Sequence, residues 1–256
     1  MCLILFAFKS HPAYKLILAA NRDEYYNRPT APACFREHAP DLLAGRDLHA
    51  GGTWLGITTK GRIGAMTNYR DPSSYKTHTS SRGELVSNFL TGRESPVDYL
   101  ERLEQKAEEY NGFNLIIGEK GELYWYSNRG DGGRNLAPGT YGLSNHLLDT
   151  PWSKVIRGKE AFRRLLFGDT DPAAEAIFDM LSDFSVPDDE SLPDTGVGIE
   201  WEKILSPIFI ASPTYGTRSS TVLFVDLNDC MTFIERTFDS DPEHATTIKY
   251  EFRIEA

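Results

Sequence analysis

The length and composition of the chain indicate a folded protein with a sizeable core. It has 256 residues, of which 40% are hydrophobic and 12% aromatic, and this composition excludes disorder as the general state. With 27 basic and 37 acidic residues the formal net charge is -10, and no lysine and arginine cluster supplies a basic face for phosphates. Nucleic acid is therefore excluded as the main partner.

Targeting signals and cysteine usage predict a cytoplasmic location. No stretch of the sequence reaches the roughly 20 apolar residues of a membrane span, so we expect no integral membrane association. The apolar run 3–8 is too short for a signal peptide, and no basic residue precedes it. The three cysteines, Cys2, Cys34 and Cys230, are sparse and odd in number, which is typical of a reducing compartment.

Apolar runs, helical spacing and turn residues predict strands and helices in alternating groups. The proline-rich stretch 25–49 and the acidic stretch 185–198 are predicted loops. Helices are predicted at 82–90, at 97–110 behind an N-cap at Ser95, and at 153–167 and 173–181. Strands are predicted at 2–8, 14–20, 53–58, 62–68, 113–118, 123–127, 142–145, 208–211, 219–225, 231–238 and 247–254.

The order of these elements predicts an α+β fold. Strands joined mainly by hairpins favour antiparallel sheets, and the helices are then needed to cover the outer faces of those sheets. No linker, internal repeat or low-complexity tract divides the chain. We therefore predict a single domain over residues 1–256.

Common cofactor and metal signatures do not occur in the sequence. There is no phosphate-binding Gly-x4-Gly-Lys-Ser/Thr motif, and Gly196-Val197-Gly198 lacks the third glycine of a dinucleotide loop. His146 stands where a nucleophile elbow after Ser144 requires glycine. The six histidines are scattered, with no pair at helical spacing. We predict neither a metal nor a cofactor.

Cys2 is the residue whose position suggests chemistry. A methionine aminopeptidase is expected to remove Met1 ahead of so small a side chain, so that thiol and α-amine share one residue. The α-amine, with an ordinary pKa of about 7.7–8.0, can then accept the proton of a thiol whose ordinary pKa is about 8.5. The alternative is that a cysteine opening an apolar strand simply packs in the core.

Polar residues at 21–24 follow the second apolar run and are predicted to end that strand. If the first hairpin pairs normally, Arg22 and Asp23 lie close to Cys2. A cation there favours the thiolate, and a carboxylate can orient the amine. The alternative is that these polar residues form a turn.

Three later residues could complete such a site. Asn68 and Asn145 each end a predicted strand, and a side-chain amide can donate hydrogen bonds to an oxyanion. Arg218 could bind a carboxylate or hold the site in place. Taken singly, each asparagine is better explained as a turn residue and the arginine as a surface residue.

The segments that stand out in combination are Met1-Cys2, Ala20-Asn21-Arg22-Asp23-Glu24, Gly51-Gly52-Thr53-Trp54-Leu55-Gly56, Thr67-Asn68-Tyr69-Arg70 and Gly142-Leu143-Ser144-Asn145. Together they resemble the NRDE family, also called the transport and Golgi organisation protein 2 family, from residue 1 to about residue 225. The resemblance implies the four-layer αββα sandwich of N-terminal-nucleophile hydrolases, with two mainly antiparallel sheets covered by helices.

More distantly, the pattern is similar to the choloylglycine hydrolase and acyl-CoA:6-aminopenicillanate acyltransferase group. That similarity implies Cys2 as nucleophile, Asp23 as the contact of the N-terminal amine, Asn145 as oxyanion donor, Arg218 as the late arginine and Asn68 as a weaker match to an earlier asparagine. Those enzymes carry arginine directly before the motif asparagine, whereas this chain has Ala20 there and its arginine at Arg22.

Three functional hypotheses follow. The first is an N-terminal-cysteine hydrolase or acyltransferase that cleaves an amide or thioester through an acyl-Cys2 intermediate, with Arg22 and Asp23 orienting the amine and Arg218 the substrate. The second is a non-catalytic protein that binds haem, lipid or acyl-CoA on the same scaffold. The third is an interaction protein with no small-molecule site, which would not require Asp23 or Arg218. The substrate, the oligomeric state and the catalytic competence of the site stay open.

Overall fold

The computed structural model describes residues 2–77, 79–168, 171–238 and 245–255, and places them in two compact units. The first unit comprises Met1–Asn27, Pro138–Ser144 and Leu148–Glu251. The second comprises Arg28–Ala137, Asn145–Leu147 and Phe252–Ala256.

Strands contain more of the described residues than helices do. In chain order they are β1 (Cys2–Phe8), β2 (Tyr14–Tyr25), β3 (Thr30–Arg36), β4 (Ala39–Asp47), β5 (Leu55–Thr58), β6 (Ile63–Asn68), β7 (Phe113–Glu119), β8 (Glu122–Ser127), β9 (Gly132–Asn135), β10 (Gly139–Leu143), β11 (Tyr215–Asp226), β12 (Cys230–Phe238) and β13 (Ala245–Arg253). The helices are α1 (Gly83–Thr91), α2 (Pro96–Glu104), α3 (Ser153–Leu166), α4 (Ala174–Leu181) and α5 (Ile199–Ile204), with 3-10 turns at Pro72–Ser74, Ala107–Glu109 and Asp189–Ser191.

The first unit contains a six-stranded sheet in the order β10-β1-β2-β11-β12-β13. β2 pairs antiparallel with both β1 and β11, so it lies inside the sheet and is buried over most of its length. Side chains alternate between the two faces of a strand, and the odd-numbered residues of β1 and β2 face α3 and α4. The core on this face contains Leu3, Leu5, Ala7, Ile17, Ala19, Val155, Phe162, Leu166, Ile177, Phe178, Leu181, Ile208, Val222 and Phe224.

The second unit contains a seven-stranded antiparallel sheet whose strands β3 to β9 follow sequence order. The predicted start of α2 is confirmed, since the Ser95 side chain accepts the backbone N–H of Asp98 and Pro96 occupies the first turn. The predicted hairpin turn at Lys120 and Gly121 is also confirmed, with both residues at positive φ. The core of the second unit contains Leu42, Ala44, Met66, Leu85, Val86, Phe89, Leu90, Tyr99, Leu100, Leu103, Ala107, Phe113, Leu115, Ile117 and Tyr126.

The prediction of a loop over 25–49 is wrong, because β3 and β4 occupy most of that stretch. β3 is an edge strand with mostly exposed or half-buried side chains, so it lacks the buried alternation that identifies a strand. An edge position also tolerates Pro32, whose missing N–H faces no partner strand. The short edge strand β9 and the helix α5 were likewise not predicted.

The prediction of a strand at 208–211 is also wrong. Ile208, Phe209 and Ile210 are buried, but apart from an isolated bridge at Ala211 this segment pairs with no strand. Its backbone instead bonds to the side chains of Asn21 and Thr217, to the carbonyl of Asp183 and to the backbone N–H of Thr217 near the start of β11. β2 extends to Tyr25 instead of ending at Ala20, and β10 ends at Leu143, two residues before Asn145.

Candidate functional site

Cys2 begins β1 and lies opposite Arg22 of β2, as the hairpin predicted. Arg22 in turn lies opposite Ser219 of β11. Because residues opposite each other in an antiparallel pair project from the same face, Cys2 and Arg22 are neighbours on the face away from α3 and α4. Arg22 is buried, and its guanidinium lies 3.9 Å from the carboxylate of Glu24 on the same face. The site therefore places a buried cation beside the thiol.

The Cys2 thiol has a higher pKa than the thiol of a free cysteine. Burial raises its pKa, and the carboxylate of Asp23 raises it further, while the Arg22 guanidinium and a hydrogen bond from the backbone N–H of Asp23 lower it. The raising effects win, so the resting group is the thiol and a proton acceptor is needed to form the nucleophile. Once an acceptor has removed the proton, the hydrogen bond from the backbone N–H of Asp23 stabilises the resulting thiolate.

Asp23 lies on the opposite face of β2, the face covered by helices. Its Oδ1 accepts a hydrogen bond of 2.7 Å from the Thr217 hydroxyl, and its backbone carbonyl accepts one of 3.0 Å from the Tyr215 hydroxyl. Burial raises the pKa of this carboxyl, and the charge of Lys154 on α3 is the largest effect that lowers it. Asp23 thus acts on Cys2 through its charge and its backbone N–H, not through a side chain on the same face.

Arg218 lies in the same strand pair, at a bulge. The register of β11 against β2 shifts between Thr217 and Ser219, which leaves Arg218 as the extra residue. Its guanidinium donates to the backbone carbonyls of Tyr25 and Tyr26 at 3.0 and 3.2 Å. Arg218 is therefore close to the β2 segment that carries Arg22 and Asp23, and it binds the backbone carbonyls at the end of that segment.

Asn68 and Asn145, the predicted oxyanion donors, lie together in the second unit. The Asn145 side-chain N–H donates to the carbonyl of Asn68 at 2.9 Å, and the Asn145 carbonyl accepts the backbone N–H of Arg70 at 2.7 Å. Asn145 is fully buried. In the first unit the residue before it, Ser144, donates its hydroxyl to the carbonyl of Cys2 at 3.1 Å.

The sequence reasoning overlooked a tyrosine–histidine pair beside these asparagines. The hydroxyl of Tyr69 and Nε2 of His146 are 2.7 Å apart, and their rings are 4.8 Å apart between centroids. Burial lowers the pKa of His146, so its imidazole is neutral at pH 7. The available signal was adjacency, because each residue directly follows one of the two asparagines in the sequence.

The described residues also bear on the predictions about metals and membranes. Within 2–77, 79–168, 171–238 and 245–255, no three His, Cys, Asp or Glu side chains are grouped to hold a metal ion. None of the helices in this described part combines the length and apolar character needed to span a membrane.

The structure is similar to two solved hydrolases of low sequence identity. One is a Caenorhabditis elegans ortholog of N-acylethanolamine-hydrolyzing acid amidase, with a TM-score of 0.52, 12% identity and coverage of 87% of this chain and 92% of that one. The other is the C2A mutant of conjugated bile acid hydrolase from Clostridium perfringens, with a TM-score of 0.53, 9% identity and coverage of 99% and 97%. The α+β sandwich of the N-terminal-nucleophile hydrolase type is thereby confirmed.

Sequence comparison identifies relatives over the whole chain. The mouse transport and Golgi organization 2 homolog is 39% identical over all of both chains, and the human homolog is 38% identical over all of both chains. The Drosophila melanogaster transport and Golgi organization protein 2 is 30% identical over 95% of this chain and 94% of its own. The family model "Transport and Golgi organisation 2" matches residues 1–240. The chain therefore belongs to the transport and Golgi organisation 2 family.

Proposed function

We propose that this chain is an N-terminal-cysteine hydrolase or acyltransferase that acts on an amide or thioester through an acyl-Cys2 intermediate. The observation that carries the proposal is the pairing of Cys2 with buried Arg22, together with the hydrogen bond from the backbone N–H of Asp23. A cation and a backbone donor stabilise a thiolate at the start of a strand whose position the sheet fixes. A cysteine that only packs would need neither.

The raised pKa of the Cys2 thiol makes a base necessary. In this proposal Met1 is removed, and the α-amine of Cys2 takes the thiol proton, since its ordinary pKa of about 7.7–8.0 suits neutral pH. Asp23 and Arg22 orient the protonated and neutral forms of that amine. The chemistry needs no redox or metal group.

The reaction proceeds in two acyl transfers. The thiolate attacks the substrate carbonyl, a C–S bond forms, and the oxyanion is held by Asn68 and Asn145 in their proposed roles. When the oxyanion collapses, the C–N or original C–S bond breaks, and the leaving amine or thiol takes the proton held by the α-amine. Water, or an acceptor nucleophile, then attacks acyl-Cys2 and regenerates the thiol. Arg218 is proposed to position the substrate.

The two structural neighbours support this class of reaction. One is named for amide hydrolysis of N-acylethanolamines and the other for hydrolysis of conjugated bile acids, and the latter carries alanine in place of a cysteine at position 2. A shared fold does not fix a shared substrate, so the proposal is limited to acyl transfer through Cys2.

The test is the mass of the untagged protein before and after exposure to a panel of acyl thioesters and activated amides. A second preparation, released from a fusion so that Cys2 is the first residue, removes any dependence on processing by the host. We expect loss of Met1 in the first preparation. Both preparations should then gain one acyl group per chain, mapping to Cys2.

Matched variants separate site chemistry from general thiol reactivity. Cys34 and Cys230 are exposed, so a double Cys34→Ala/Cys230→Ala variant should keep the adduct while Cys2→Ala loses it. If the preparation that begins at Cys2 never acylates above the level of the two exposed cysteines, acyl transfer is refuted for these substrate classes. Binding of haem or acyl-CoA would then become the function to measure.

A further inference from the structure

Lys154 is buried in the first turn of α3, where a cation is unfavourable. Only 2% of the residue is exposed, and its ammonium group donates to the carbonyl of Leu205 at 2.9 Å. Lysine is almost never buried unless it is paired, and the N-terminal turn of a helix disfavours positive charge. A carbonyl accepts the hydrogen bond without neutralising the charge. The charge of Lys154 acts on the buried carboxyl of Asp23, whose pKa it lowers.

The segment that follows Leu205 leads directly to β2. Its Ile208 carbonyl accepts a hydrogen bond of 2.9 Å from Asn21, and the N–H of Ile210 donates to the hydroxyl of Thr217 at 3.0 Å. That hydroxyl donates in turn to Asp23. The same segment thus contacts Lys154 at one end and the partner of Asp23 at the other.

The packing of α3 brings Lys154 to the face that carries Asp23. Gly158, one turn further along the helix, lies against Leu5 of β1 and Ile208, where an added Cβ would be 3.0 and 3.5 Å from their side chains. Leu5 is odd-numbered, like Asp23, and both project to the helix-covered face. Lys154 and Asp23 therefore enter the same buried layer.

We propose that Lys154 is a positioning residue whose ammonium group is the buried counter-charge that keeps Asp23 ionised at the start of the nucleophile's sheet. Its catalytic meaning rests on the proposed function, in which ionised Asp23 orients the α-amine of Cys2. Without Lys154, the carboxyl takes up a proton and loses the charge that holds a cationic amine. Neither the family resemblance nor the comparisons assign this residue a role.

Other charged groups around Asp23 are consistent with this assignment. After Lys154, the hydrogen bond from Thr217 and the Arg22 guanidinium also lower the pKa of Asp23, against the larger effect of burial. The Asp23 charge in turn raises the pKa of the Tyr26 hydroxyl and, across the strand, that of the Cys2 thiol.

A second buried carboxylate, Glu202, belongs to α5, the helix that ends just before Leu205, whose carbonyl accepts the Lys154 hydrogen bond. It accepts two hydrogen bonds from Thr195, one from the backbone N–H at 2.9 Å and one from the hydroxyl at 2.5 Å. A test of the proposal must therefore distinguish Asp23 from Glu202 as the partner of Lys154.

A double-mutant cycle measured against pH makes that distinction without any substrate. The variants are Lys154→Met, Asp23→Asn and the two combined, and the readout is the urea midpoint between pH 5 and pH 8. Met matches the length of Lys without its charge, and Asn keeps an oxygen to accept the Thr217 hydroxyl. The lost bond to Leu205 is independent of pH and is the same in both backgrounds.

The sign of the expected effect follows from linkage. Because the folded-state pKa of Asp23 is raised, its contribution favours folding at low pH and is lost as pH rises through that pKa. Removal of Lys154 raises the pKa of Asp23 further, so the stability that Asp23 contributes continues to fall up to a higher pH. The midpoint gap between wild type and Lys154→Met should therefore widen as pH rises, by about 0.5 M urea for each tenfold fall in the acid dissociation constant of Asp23.

In the Asp23→Asn background this widening should vanish, whereas Glu202→Gln should leave it in place. A gap that is independent of pH, or one that disappears with Glu202→Gln and persists with Asp23→Asn, overturns the assignment. For Lys154→Arg, the difference in urea midpoint from wild type should stay small at every pH, because arginine keeps the positive charge. If wild type acylates Cys2, Lys154→Met should also move the pH profile of acylation to higher pH. Inactivity of the wild type would refute the proposed function and leave the cycle intact.

Discussion

Replacing Asn21 with alanine tests whether the first residue of the Asn-Arg-Asp-Glu segment holds the sheet together instead of doing chemistry. Asn21 is fully buried, and its side-chain N–H groups donate to the carbonyls of Leu181 and Ile208 at 2.8 and 2.9 Å. Its Oδ1 accepts the hydroxyl of Ser220 at 2.6 Å. One side chain thus joins the end of α4, the 205–211 segment and β11 to β2.

The cost of the substitution follows from the groups it leaves behind. Alanine leaves two carbonyls and one hydroxyl without the bonds that Asn21 supplied, and each such buried group costs about 1–3 kcal/mol. With partial relaxation we expect about 3–5 kcal/mol, at the upper end of the range for single substitutions. Ser220→Ala is the matched control. It removes one of the three bonds from the other side and should cost about 1–2 kcal/mol.

Urea unfolding followed by tryptophan fluorescence measures both variants. For a slope of about 2–3 kcal/mol per molar urea, Asn21→Ala should lower the midpoint by about 1–2 M and Ser220→Ala by about 0.5 M. Below its midpoint, Asn21→Ala should still permit alkylation of Cys2 at the wild-type rate, since the amide does not touch the thiol. If Asn21→Ala costs no more than Ser220→Ala, the hydrogen-bond accounting is wrong. If it abolishes Cys2 reactivity while folded, its role is chemical.

Two further predictions concern the second unit. Arg62→Met should cost about 3 kcal/mol or more, because it leaves Glu119 without its partner and the Phe89 carbonyl without two donors. Arg102→Ala, which breaks an exposed ion pair, should cost under about 1 kcal/mol, and equal losses in urea unfolding would contradict this ranking. His146→Gln should reduce the acid sensitivity of folding. Because burial lowers the folded-state pKa of His146, its contribution is present above its ordinary pKa and is lost as pH falls. The wild-type midpoint should therefore drop more than that of the variant between pH 7.5 and pH 5, and parallel curves would count against a buried neutral imidazole.

The sequence predicted best those elements whose own pattern of apolar and polar side chains identifies them as a strand or a helix. β1 is a short apolar run bounded by Lys9, and α3 carries buried residues at helical spacing, so pattern alone located both. β3 could not be found this way, because an edge strand is stabilised by backbone bonds to β4 while its side chains face solvent. Ile208–Ile210 was misassigned for the opposite reason, since burial gives a loop the composition of a strand.

The candidate site divides in the same way. Pairing of Cys2 with Arg22 follows from the length of the first hairpin, so sequence predicted it. The face on which Asp23 lies depends on β2 continuing through the polar residues, and four polar residues in succession had indicated a strand end. Lys154 did carry a signal, because it shares the i, i+4, i+8 stripe of Gly158 and Phe162, which is buried. The carboxylate with which Lys154 interacts is determined by tertiary packing, and residue spacing in the sequence does not predict it.

The continuation of β2 through residues 21–24 explains how one short segment can have two roles. With a period of two, Asn21 and Asp23 enter the helix-covered layer, and Arg22 and Glu24 lie on the face of Cys2. The first pair fixes the strand to α4 and β11 and includes the buried carboxyl of Asp23. The second pair sets the positive charge beside the thiol, moderated by the Glu24 carboxylate at 3.9 Å. Exchanging Arg22 and Asp23 would therefore preserve composition and net charge but put a cation on the helix-covered face and a carboxylate beside the thiol. It follows that the order of the four residues, and not only their identity, sets the charge around Cys2.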